Sequence, residues 1–428
     1  MVEIYVDQIS ERLIYTLDFV FKERGLSYKL NNDYYTFETS NNLKFNYSER
    51  YFESIPQLVP STLLFDEAIF VYAIEKGLFH EEVCLSFNRI VDPLASIFYI
   101  LSRMEEYTST HLDEHGRFQS KYSVLSEFGW LQKAVCDQWA VDFLNLLSIR
   151  VGIDNSFLNN YVTIRPTFDI DNAYAYRLKF GFRKYMSIIR DFIRKDKERI
   201  VERKLVLKDL KADPYDTYSY IEDIIDRGFK VNVFWLLADY AKFDKNITYK
   251  NDDQANLIRR IAEKAVVGIH PGYRSNSYPL YVENEIERLA YILGDRVVNS
   301  RQHFLRLSIS KTYSTLLKLG IENDYTMGYA DNVGFRAGTA RPFQWFDLNR
   351  NKITDLKIHP FVYMDGTLNE YLKISTEESC RLIDELYKEV SKYGGDFVFI
   401  WHNETIGDYK KWKGWKSVLE HTLKLKNT

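Results

Sequence analysis

The sequence predicts an α/β protein in two parts. A smaller α+β region spans residues 1–158, and residues 159–428 form a domain on a mainly parallel sheet, open or closed into a barrel. Three observations predict this. After Tyr161, short apolar runs alternate with segments of helical spacing, the pattern of strand-helix repeats. A polar stretch, Asp154-Asn155-Ser156 with Asn159-Asn160, separates those repeats from what precedes them. The reactive side chains of the second part follow directly on its apolar runs, at the strand ends where parallel α/β folds gather function.

The bulk properties narrow the class. A chain of 428 residues is too long for one ordinary core. Hydrophobic residues at 46% and charged residues at 27% give a globular balance, and the net charge of -3 is too small to imply a nucleic-acid or membrane surface. Cys84, Cys136 and Cys380 are far apart, which argues against a disulfide framework or a thiolate metal site. The start, Met1-Val2-Glu3-Ile4-Tyr5, lacks a basic segment followed by an apolar core, and no apolar run reaches membrane-span length. A cytoplasmic location is the expectation.

In the first part, Glu3 to Val6 reads as a strand and Glu11 to Phe21 as a helix through Leu13, Leu17 and Val20. Tyr34–Phe37 and Leu43–Tyr47 read as strands joined by a hairpin turn at Asn41-Asn42, and Ala68–Tyr72 as a further strand. Asp92-Pro93 opens a helix that continues to Tyr107, with proline in its first turn. Thr108 to Lys121 is a polar loop; His111 and His115 are four apart, but Asp113, Glu114 and Gly116 argue against a metal-binding helix there. Trp130 to Ile149 is helical again.

In the second part, strands are expected at 162–168, 231–237, 265–269, 297–299, 325–326, 358–362 and 397–401. Helices are expected at 215–227, 253–264, 281–293, 310–319 and 376–393. The basic stretch 183–211 is mixed in sign and reads as a solvated helix.

Thr167-Phe168-Asp169-Ile170-Asp171 ends the first of these strands, and alternation puts Asp169 and Asp171 on one side. Such a pair either caps the next helix or belongs to a site. Later strand ends supply His270-Pro271-Gly272-Tyr273, Ser300-Arg301-Gln302-His303, Arg336 and His402-Asn403-Glu404. One Asp and two His at successive strand ends can hold a catalytic divalent metal with a position left for water. A second carboxylate can take a proton from that water, and a further His can give one to a leaving group. The inventory suits metal-assisted hydrolysis of an amide or ester.

Residues 160–428 resemble the polysaccharide deacetylases with NodB homology, and more specifically a two-domain bacterial subgroup with a separate N-terminal domain. Asp92–Tyr99, Ser300–Arg306, Asp324–Ala330 and Gly334-Phe335-Arg336-Ala337-Gly338-Thr339 look typical of that subgroup. The resemblance implies a distorted (β/α) barrel and metal-dependent removal of acetyl groups from an acetylated oligo- or polysaccharide. The metal is a divalent ion, zinc first. Thr167–Asp171 matches the family's Thr-Phe-Asp-Asp motif with one residue inserted, which makes Asp169 the catalytic base and Asp171 a metal ligand.

His270 matches the first metal histidine, but Arg274 stands where the second belongs. His303 is inferred to supply the missing imidazole; the family pattern does not give it. The resemblance also makes Arg336 the residue that orients the base and His402 the general acid. It places Asp365, Tyr273 and Trp401 at the substrate. Two other readings stay open: a barrel that has lost catalysis and binds glycan or a partner, and a metal-free glycosidase using Asp169 or Asp171 with Glu404.

Overall fold

The computed structural model describes residues 1–154, 160–179, 189, 193 and 197–425. The expected division at 158/159 and part of the basic stretch 183–211 lie outside them; within that stretch, Lys197–Val206 is a helix.

The first region opens with a small parallel sheet in which β1 (Val2–Tyr5) lies between β2 (Tyr28–Asn31) and β3 (Leu43–Asn46). The helix Glu11–Phe21 follows β1, its Ser10 side chain accepting from the Leu13 amide. The hairpin expected around Asn41-Asn42 does not form. Tyr34–Thr39 is a helix instead, because Asp33 caps it by accepting from the Thr36 amide at 2.8 Å; a local cap here outweighs the strand preference of two tyrosines. The strand expected at Ala68–Tyr72 is likewise absent. Phe70 and Val71 are exposed, and the pairing begins beyond them in the antiparallel sheet of β4 (Ile74–Phe79), β5 (Glu82–Phe87) and β6 (Ile90–Val91). Asp92 caps the buried helix Pro93–Leu101, accepting from the Leu94 and Ala95 amides, both at 3.1 Å.

The second region is built on a nine-stranded sheet. Its strands are β7 (Val162–Ile170), β8 (Asn232–Trp235), β9 (Val266–Ile269), β10 (Asn299–Ser300), β11 (Asn323–Asp324), β12 (Phe343–Asp347), β13 (Lys352–Ile358), β14 (Tyr363–Met364) and β15 (Gly395–His402). They lie in the order β12-β13-β11-β10-β9-β8-β7-β15-β14. All neighbours are parallel except the β12/β13 hairpin, which the sequence reading missed. The expected barrel does not close: among the described residues β12 and β14 are unpaired edges. The two-residue β14 is too short to carry a ladder onward. The chain around 327–334 bonds there in its place, through Phe361 N–H to Met327 O and Gly334 N–H to Val362 O.

The period of two decides which side chains meet. On β15, Val398 and Ile400 pack with Phe234, Leu305, Tyr325 and Phe361 on one face of the sheet, the face that also carries His402. Phe397, Phe399 and Trp401 join the main core on the other. That main core runs without a break from Val2 to Leu423. Among the described residues no helix is long and apolar enough to cross a membrane.

Candidate active site

A cavity of about 570 Å³ lies at the carboxyl ends of the central strands, and its floor contains Asp169, Asp171, His270, His303, Asp365 and His402. Register explains the convergence. His402 is the direct partner of Asp169 across β15 and β7. Ile170, Trp235, Ile269 and Ser300 form one row across β7 to β10, so Asp171, His270 and Arg301 all leave the sheet one step above it. Residues far apart in sequence reach one point because parallel strands end together.

Asp171, His270 and His303 offer ligand atoms that all lie within 4.8 Å of one another. His270 Nε2 is 3.3 Å from one carboxylate oxygen of Asp171, and His303 Nε2 is 3.5 Å from the other. Each imidazole has its second nitrogen engaged: His270 Nδ1 lies 2.6 Å from the Arg301 carbonyl and His303 Nδ1 lies 2.9 Å from Asp244 Oδ1. A carbonyl only accepts, so His270 Nδ1 carries a proton and Nε2 is the nitrogen that faces Asp171. Asp171 Oδ1 is buried and makes no hydrogen bond.

An imidazole nitrogen facing a carboxylate oxygen without a hydrogen bond calls for positive charge between them, a proton or a metal cation. Burial works against ionising Asp171, yet His303 and His270 hold its carboxyl well below the usual range. Burial likewise works against charging His303, but Asp171 and Asp244 raise it to about 9. Two nitrogens and a carboxylate oxygen, with each ring held from behind, form a donor set that fits zinc or a similar divalent cation.

Asp169 is buried beside this group. Arg301 donates to its Oδ1 at 2.8 Å, while Oδ2 faces His270 Nε2 at 3.8 Å. His402 sits opposite. Its Nδ1 lies 2.9 Å from Asp365 Oδ1, and its own amide and the Thr405 hydroxyl donate to Asp365 Oδ2 at 2.9 and 2.6 Å. Burial would lower the basicity of His402, but Asp365 outweighs it and raises the ring well above the ordinary histidine range. Glu404 also lines the cavity, its carboxyl raised by burial and then by Asp171.

Several expected site residues stand elsewhere. Arg336 is not beside Asp169. It pairs with the buried Glu106 of the first region through Nε at 2.9 Å and through Nη2, and donates to the Gly328 carbonyl. The orienting position is filled by Arg301. The motif around Arg336 is a docking surface for the first region: Phe335 N–H and Cys136 N–H bond to Leu131 O and Gly338 O, both at 2.8 Å, and Thr339 bonds to Asp137. A Cβ at Gly334 would fall 2.0 Å from the Leu131 carbonyl, so only glycine lets the two backbones approach.

Trp401 is fully buried in the main core, because it alternates with His402 along β15. Tyr273 does not line the cavity; its ring packs on Phe243 at 4.2 Å beneath Arg306. Asp365 lines it, but its oxygens are taken by His402 and Thr405. Asp244 and Arg301 were missed as partners. Arg301 directly follows β10, whereas Asp244 sits in a loop without helix or strand and gives no sequence signal. Arg274, at the missing histidine's place, lies over the Tyr281 ring.

A model of a family of unknown function, DUF7033, matches residues 2–151. No curated protein matches the sequence. Solved structures similar to the chain include Puue allantoinase, at 10% identity over 62% of this chain and 85% of that one, with a TM-score of 0.38. The polysaccharide deacetylase Bc1974 from Bacillus cereus is another, at 10% identity over 61% and 85%, with a TM-score of 0.31.

Proposed function

We propose that the protein is a metal-dependent hydrolase that removes acetyl groups from an acetylated carbohydrate. The observation that carries this reading is the convergence in one cavity of Asp171, His270 and His303 with an arginine-held carboxylate, Asp169, and a carboxylate-held imidazole, His402. Asp171, His270 and His303 would hold the cation, whose Lewis acidity polarises an acyl oxygen and acidifies water. The motif resemblance of residues 160–428 supports an acetylated sugar as the substrate.

Each protein group then has a task. Asp169, fixed through Oδ1 by Arg301, keeps Oδ2 to accept the proton of the attacking water. His402, held through Nδ1 by Asp365, presents Nε2 to the leaving amine or alkoxide and gives it a proton. His402 starts with its proton because a carboxylate, Asp365, stands beside its ring.

The test combines metal analysis of the purified protein with acetate release from a panel of N- and O-acetylated oligosaccharides. The expected result is chelator-sensitive release, with Asp171→Ala losing metal and activity together and Asp169→Ala losing activity alone. No bound metal and no acetate from any substrate would overturn the reading. Glycan binding that ignores both chelator and Asp171→Ala would point to a binding protein. The glycosidase reading draws on Glu404 in the same cavity; chain cleavage without acetate would establish it instead.

A further inference from the structure

The loop that carries His303 has an unusual backbone. Phe304 and Leu305, the next two residues, both take left-handed conformations, with φ of 60° and 54°. Neither is glycine, and two such residues in succession persist only when their surroundings hold them. Part of that hold comes from the first region. Its segment Leu112–Phe118 folds back on itself, with Arg117 N–H donating to Asp113 Oδ1 and Asp113 N–H to Arg117 O, both at 2.9 Å. Asp113 Oδ2 also accepts from Arg117 Nε at 2.7 Å, which fixes the guanidinium.

From there Arg117 Nη1 donates to the carbonyl of Phe304 at 3.0 Å, and Nη2 donates to Tyr371 OH at 3.0 Å across the cavity wall. The loop answers in kind: Arg306 Nε donates to the His115 carbonyl at 2.7 Å. Gly116 lies at this crossing, with φ of 76° and its virtual Cβ 3.8 Å from Arg306 Nη2. Arg117 is buried and lines the cavity, yet its guanidinium is engaged by Asp113, Phe304 and Tyr371. That suits holding a wall in place better than binding a substrate.

We propose that Arg117 is a positioning residue: through the Phe304 carbonyl it locks the left-handed turn that aims His303 at Asp171. The region matched by the family of unknown function thereby completes the metal site. The inference rests on the reading of His303 as a ligand, and its test separates the two. Zinc affinity and amide hydrogen exchange are measured on the full-length wild type, Arg117→Ala, Arg117→Lys and the pair Arg117→Ala with Phe304→Gly.

In Arg117→Ala, exchange across residues 302–307 should rise at least about tenfold and zinc binding should weaken about 10- to 100-fold, the range usual for residues that orient ligands. Arg117→Lys, which keeps one donor, should fall between. Phe304→Gly removes the left-handed penalty and should restore much of the affinity. Unchanged exchange at 302–307 in Arg117→Ala would overturn the proposal. So would faster exchange throughout the molecule, which marks a general loss of stability. If the wild type binds no zinc, the metal reading fails by itself, and exchange at 302–307 still decides the lock.

Discussion

Each histidine around the cavity has one nitrogen committed to the protein and the other left for chemistry, and the commitments differ. His270 gives Nδ1–H to a backbone carbonyl, His303 faces Asp244, and His402 faces Asp365. Asp365→Asn therefore removes the charge that keeps His402 protonated. Because Asp365 raises this imidazole, the protonated form extends above the ordinary 6.5 and is lost as pH rises through the raised value. If His402 is the acid of the proposed reaction, the alkaline fall in kcat of Asp365→Asn should move to lower pH, and kcat at its optimum should drop about 10²- to 10⁴-fold. A pH profile of acetate release checks both. Trp401 provides the contrast: its ring is in the core, so Trp401→Ala should cost about 3–5 kcal/mol in denaturant unfolding and leave KM unchanged.

At the scale of elements, caps and buried polar anchors determine where the chain turns. Asp92 accepts from the Leu94, Ala95 and Ser61 amides and from Tyr47 OH, joining the start of Pro93–Leu101 to two other segments. Asp92→Ala leaves buried donors unpaired and should destabilise by about 2–4 kcal/mol, more than an exposed cap would. Glu3 anchors the small sheet in the same way. Burial pushes its carboxyl up, but Asn42, Lys29, Ser40 and Asn31 outweigh this and lower it from 4.5 to about 2. Its contribution is thus complete above pH 4.5 and lost as pH falls through about 2. Glu3→Gln should flatten the acid limb of the stability curve between those values, as read by urea titrations at stepped pH.

Elements were legible in the sequence wherever one periodicity ran long enough. The expected helix at 376–393 is the observed Thr376–Tyr393, held by a capping box at Ser375 and Glu378. The strands expected at 297–299, 325–326 and 358–362 miss or only touch the observed β10, β11, β13 and β14, because two-residue strands show no period, and the β12/β13 hairpin gave no turn signal that stood out.

Across the whole molecule, the first region is bound to the second by buried polar pairs as well as by a shared core. Glu106 with Arg336 and Asp137 with Thr339 join the two regions. Arg12 and Tyr15 reach Asn351 and the Gln344 carbonyl. We propose that the regions unfold together. Calorimetry should show one transition, and Arg336→Met, which leaves Glu106 with Arg103 as its remaining partner, should lower stability by about 1–3 kcal/mol with KM unchanged. Two separate transitions would count against that coupling.

The sequence by itself determined the strand-helix alternation, the polar strand ends and the pairing of Asp169 with Asp171 on one side, because period, breakers and caps act over a few residues. Only the tertiary structure decided that His303 meets Asp171, that Arg301 rather than Arg336 holds Asp169, and that Trp401 turns into the core. Those outcomes depend on strand order and register, which bring together residues more than a hundred positions apart. A one-residue step along a strand reverses a side chain's direction, so the difference between a cavity wall and a core position is settled by pairing with neighbouring strands.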